Sequence, residues 1–132
     1  MTERNPDIEI YIKRASIDAV LTWVALHFEV NSQKQSGETL KLGLLYEGDP
    51  LACNIVPDVV KGGYLSVCFE PNRTPWIDDE ACAVSAFDHF KLEIRCSTGG
   101  WTTGTEDTEE IADTAGWYRF TAAGRSVVNW LA

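Results

Sequence analysis

Between residues 8 and 28 the apolar residues change their spacing once, and that switch limits the folds open to the chain more than any other feature. Ile8, Ile10 and Ile12 alternate with Glu9, Tyr11 and Lys13, the period of two that belongs to a strand with one covered face. From Ser16 the spacing lengthens. Ile17, Val20, Leu21, Val24 and Phe28 fall on one stripe of a helix, while Asp18, Thr22 and Glu29 fall on another. Ser16 is a suitable N-cap, because its hydroxyl can accept one of the unpaired N–H groups of the first turn. A helix near 16–30 is therefore predicted, ending close to Asn31 ahead of a polar linker at 32–38.

Alternation then returns in Leu40, Leu42, Leu44 and Tyr46, predicting a strand near 39–47. The run Glu47, Gly48, Asp49, Pro50 supplies turn chemistry before a second strand at 51–56. Another turn is expected at 58–63, followed by a strand at 64–70 with Leu65, Val67 and Phe69 on one side. Asp78, Asp79 and Glu80 open a second helix, near 78–90, with Ala83, Ala86, Phe87 and Phe90 inward. Three carboxylates in a first turn suit the helix dipole. A strand at 91–96 carries Leu92, Ile94 and Cys96 on one face. Residues 117–120 read as a further strand, and Thr121 as the cap of a short final helix bearing Val127, Val128, Trp130 and Leu131.

The order is thus β-α-β-β-β-α-β plus a C-terminal strand and short helix. Half-apolar strands need one cover, so both helices are expected on one face of a mainly antiparallel sheet, an α+β two-layer sandwich. A chain of 132 residues fits a single domain, 1–132. Hydrophobic residues make up 45% of it, too many for a disordered acidic chain. Residues 97–115 form a long polar acidic loop, a length that compact domains seldom carry without a role.

Charge is the strongest functional signal. The net charge is −9, and residues 70–113 hold eleven Asp and Glu against three Lys and Arg. Such a field repels phosphate polyanions and attracts basic surfaces. No nucleic-acid partner is expected. The composition instead predicts a small acidic protein-binding module that masks a basic protein surface, of the inhibitor, immunity or DNA-mimicking anti-defence kind. The partner-binding residues would be Trp101 as aromatic anchor, the loop acids Glu106, Asp107, Glu109, Glu110 and Asp113, and Asp78, Asp79 and Glu80 extending the same field. Homo-oligomerisation is compatible with the sequence.

Residues 1–7 are polar and no stretch nears the ~20 apolar residues of a membrane span, so a cytoplasmic protein without a membrane partner is expected. In that compartment Cys53, Cys68, Cys82 and Cys96 should be reduced. They contain no Cys-x-x-Cys pair, and no His-x-x-x-His accompanies them, so neither a metal nor any other cofactor is expected. The enzyme alternative is a thiol-dependent hydrolase or transferase with Cys96 as nucleophile and His89 as base, since an imidazole can generate and hold a thiolate. His27 borders the apolar stripe of its helix and reads as a hydrogen-bonded boundary residue.

The order of elements resembles the ferredoxin-like family. Two segments are similar to the RNA-recognition motif within it: Ile10-Tyr11-Ile12 on the first strand, and the basic-glycine-aromatic run Lys61-Gly62-Gly63-Tyr64-Leu65-Ser66-Val67-Cys68-Phe69. In that family the strand aromatics stack on bases. The resemblance implies that role for Tyr11 and Tyr64, as a lesser alternative to protein binding.

Overall fold

The structure, a computed structural model, describes residues 6–60, 63–97 and 116–128. Its elements in chain order are β1 (Ile8–Lys13), α1 (Ile17–His27), β2 (Glu29–Ser36), β3 (Thr39–Tyr46), β4 (Asp49–Val60), β5 (Tyr64–Glu70), α2 (Asp79–Phe90), β6 (Ile94–Ser97), β7 (Trp117–Thr121) and β8 (Gly124–Val128). The strands form one eight-stranded sheet in the order β2-β3-β4-β5-β1-β6-β7-β8. Every adjacent pair is antiparallel. This is an α+β fold, with two helices among the described residues.

Register explains why one face is apolar. Ile8, Ile10 and Ile12 lie opposite Phe69, Val67 and Leu65 of β5. Cys53 and Ile55 of β4 continue the rows through Phe69 and Val67 to Leu42 and Leu40 of β3. Ile94 of β6 sits beside Ile12 on one side and Phe120 of β7 on the other. Val20, Trp23 and Val24 of α1 and Cys82, Ala83 and Ala86 of α2 join these strand residues in one buried cluster. The alternation in the sequence is therefore the imprint of a single covered face.

The first helix starts where the sequence places it, with Ser16 Oγ accepting from the Ala19 N–H at 3.1 Å. It stops earlier than the spacing predicts. Phe28 is already extended, and its side chain is buried against Phe69, with ring centroids 5.3 Å apart. The chain then passes directly into β2, which replaces most of the predicted linker at 32–38. All eight residues of β2 are exposed, so no apolar alternation could announce it. A bulge separates Val30 from Ser32 in its pairing with β3. Gly43 makes room for that bulge, since a Cβ there would lie 2.3 Å from Ser32 Oγ and 2.7 Å from Asn31 Oδ1.

The predicted C-terminal helix is replaced by a strand. Thr121 Oγ1 does accept an N–H, that of Ala123 at 3.2 Å, but the bond closes a turn rather than a helix. Gly124 at φ +116 reverses the chain into β8, a conformation that costs glycine little. Val127, placed on the apolar side of the expected helix, is 52% exposed on β8. Trp130 and Leu131 lie outside the described residues. The sheet thus has two strands, β2 and β8, beyond those read from the sequence. The strand expected at 91–96 begins only at Ile94, because Lys91 is the left-handed C-cap of α2, its N–H bonded to the Phe87 carbonyl at 2.8 Å. Among the described residues no helix is long and apolar enough to cross a membrane.

Candidate functional site

Antiparallel pairing of β1 with β5 brings together acids that the sequence keeps far apart. Glu9 lies opposite Cys68, which places it, with Asp7 before it, near Glu70 at the end of β5. The start of α2 reaches the same end of the sheet, where the Glu9 N–H donates to Asp79 Oδ1 at 3.2 Å. Asp7, Glu9, Glu70, Asp78, Asp79 and Glu80 therefore form an acidic end built from three stretches of chain. Two thiols register its field. Burial pushes the Cys68 thiol up to about 12, with Glu9, Asp7, Glu70 and Asp79 adding to the shift. Burial likewise raises the Cys96 thiol, helped by Asp79, Glu80 and Asp78 and opposed by Arg125.

Each predicted acid at the helix start also has a structural role. Asp78 caps α2, its Oδ1 accepting the Ala81 N–H at 2.8 Å; Asp79 tethers β1; and Glu80 pairs with Arg125 of β8. Asp7, Glu9, Glu70 and Asp78 have no ion-pair partner among the described residues. Glu9 is instead held by hydroxyls, those of Tyr11 at 3.0 Å and Ser66 at 3.1 Å. Replacing Asp78 with Ala should cost about 1 kcal/mol through the lost cap. Urea denaturation would measure it, with Glu80→Gln expected to cost less because its pair is partly solvated.

Trp101, Glu106, Asp107, Glu109, Glu110 and Asp113 lie outside the described residues. The residues flanking that stretch are placed, however. Ser97 and Trp117 are register partners on β6 and β7. Because Tyr11 faces Arg95, Ser97, two residues further along β6, stands level with Glu9. Trp117 meets Tyr11 edge to face at a centroid distance of 5.6 Å. The acidic stretch thus leaves and rejoins the sheet at its acidic end. The sequence alone does not group Asp7, Glu9 and Glu70 with this field, because only the strand register unites them with 78–80.

A second polar cluster occupies the uncovered face at the opposite end of β1. Glu93 Oε2 accepts from the Tyr64 hydroxyl at 2.7 Å and from Arg95 Nε at 2.8 Å. Arg119 Nε lies 3.2 Å from the same oxygen but is buried without a hydrogen bond among the described residues, so that contact is Coulombic only. Burial alone would raise the Glu93 pKa. The Tyr64 and Arg95 hydrogen bonds and the two arginine charges outweigh it and hold the carboxyl below its ordinary 4.5. Burial and the bond to Glu93 push Tyr64 up to about 12.

Tyr11 and Tyr64 do share this face, on adjacent strands. Tyr64 is only 3% exposed, with the Arg95 guanidinium 5.2 Å from its ring centroid, and a covered ring offers a base no platform for stacking. The proposed thiol pair fares similarly. Cys96 is fully buried beside the carboxylates of the α2 start, whereas His89 is exposed in the last turn, ten residues and about 15 Å of helix axis beyond Asp79. A raised pKa is the opposite of what thiolate chemistry needs. His27 packs against Trp23 and Trp76 at centroid distances of 5.6 and 5.2 Å, and burial, with the charge of His89 second, lowers its pKa.

All four cysteines are free thiols. Among the described residues no three His, Cys, Asp or Glu side chains converge as a metal site. Set against known proteins, the chain matches no family model, no curated protein and no solved structure.

Proposed function

We propose that the protein is a non-catalytic binding module whose acidic end engages a basic protein surface. The observation that carries the reading is the convergence of Asp7, Glu9, Glu70 and 78–80 on the end of the sheet where the stretch 98–115 departs and returns. Asp7, Glu9, Glu70 and Asp78 make no ion pair among the described residues, and an uncompensated acidic field speeds encounter with a basic partner. An inhibitor, an immunity-type protein or a DNA-mimicking anti-defence protein in the cytoplasm would work this way. Within the reading, β4, β5, β1 and β6 with the two helices form a ferredoxin-like frame, to which the outer strands are additions.

Affinity capture from extracts of the native host, at low and at moderate salt, tests the reading. A basic partner should be retained at low salt. Against that partner, neutralising Glu106, Asp107, Glu109, Glu110 and Asp113 together with Glu70 should slow association about tenfold or more, while Trp101→Ala should chiefly shorten the lifetime of the complex. Association and dissociation rates unchanged in both variants would reject the acidic end as the site.

A further inference from the structure

β2 is the first strand of the sheet, and its outer edge meets no other strand among the described residues. The strand is eight residues long, exposed throughout and free of proline, so its outward N–H and C=O groups are open to pairing. Its charges are unbalanced within the chain. Lys34 lies directly opposite Lys41 of β3, an arrangement of like charges that weakens a strand pair. Glu29 lies opposite Leu45. None of these three charged groups makes an ion pair among the described residues.

The bulge decides which side chains share a face. Glu29, Ser32 and Lys34 pair with Leu45, Gly43 and Lys41, alternate residues of β3, so all three project from the uncovered side of the sheet. We infer that β2 is a self-complementary edge, and that two copies of the chain pair antiparallel about Ser32. With Asn31 taken up in the bulge, that register sets Lys34 of each copy opposite Glu29 of the other and joins the two sheets into one. A closed two-fold arrangement of this kind uses up the edge and stops at two copies. The occupant follows from charge: a partner strand must offer a carboxylate to Lys34 and a cation to Glu29 at this spacing, and a second β2 offers both.

Sedimentation velocity from low micromolar to near-millimolar concentration tests the inference, at an ionic strength of about 0.15 M that screens the net charge of each copy. A concentration-dependent dimer is expected, with slowed amide exchange in 29–36 as it forms. Lys34→Glu should weaken the dimer at least about tenfold by opposing carboxylate to carboxylate. The same change leaves the monomer folded, because the new Glu faces Lys41 favourably. Glu29→Lys should weaken it similarly, and the combined Glu29→Lys/Lys34→Glu exchange should restore it. A monomer at every concentration, a dimer indifferent to both single changes, or a dimer protected elsewhere than 29–36 would overturn the proposal. The acidic end plays no part in this contact, so the result is independent of the proposed function.

Discussion

Replacing Trp23 with Ala should destabilise the protein by about 3–5 kcal/mol, the range for removing a large aromatic from a packed core. Trp23 is fully buried in α1. It stacks on Trp76 at a centroid distance of 5.4 Å and an interplanar angle of 14°, and it also touches Phe69 and Phe90. These rings link α1 to β5, α2 and the segment between them, so the cavity would open where several elements meet. The site carries one internal cost, because the Trp23 indole N–H is buried without a hydrogen-bond acceptor among the described residues. Trp23→Phe removes that orphaned donor while keeping an aromatic ring. It should therefore cost clearly less than Trp23→Ala. Urea midpoints followed by far-ultraviolet circular dichroism would compare the three proteins; equal losses in the two variants would overturn the expectation.

Removing the carboxylate of Glu93 should have the next largest effect, on the order of 2–4 kcal/mol for Glu93→Ala. Its side chain is 13% exposed, and it separates two arginines that lie directly opposite each other on β6 and β7, Arg95 and Arg119. Without it the like charges face one another and the Tyr64 hydroxyl loses its acceptor. The sign of the pH dependence follows from the depressed pKa. The carboxylate is ionised more readily in the folded chain than in the unfolded one, so its stabilisation is present above the unfolded value near 4.5 and is lost as pH falls through the folded value. Glu93→Gln cannot titrate. The gap in stability between wild type and Glu93→Gln should be full at neutral pH and should close below about 4.5. A gap that stays constant into acid would mean that the ionised form has no special role.

The parts of the fold legible in the sequence are those where one face is buried and the other is wet. β1, β3 and β5 announce themselves by alternation, and both helices by a stripe of apolar residues, behind the cap Ser16 in one and the acidic run 78–80 in the other. β2 was illegible for the converse reason: Glu29, Val30 and the polar run after them are exposed on both faces, so burial left no period to read. The hairpin of β7 and β8 is hidden in the sequence because Thr121 suits a helix cap and a turn equally, and only the backbone of Gly124 separates the two. The acidic end was half legible. Its 78–80 portion is contiguous, but Asp7, Glu9 and Glu70 join it through a register that no local pattern encodes.

The position of β1 has a consequence for how the chain is made. Among the described strands β1 is synthesised before the rest, yet it stands inside the finished sheet, bonded to β5 on one side and β6 on the other. The strands β2 to β5 pair in succession and can close as they emerge from the ribosome. Ile8, Ile10 and Ile12 cannot be covered in their final setting until β5 appears, nor can β1 have both neighbours until β6 does, an interval of roughly five to fifteen seconds at ordinary translation rates. During that time a short apolar strand with both edges bare is carried on the nascent chain. Chaperone dependence during synthesis, rather than fragility once folded, is where this topology should leave its mark.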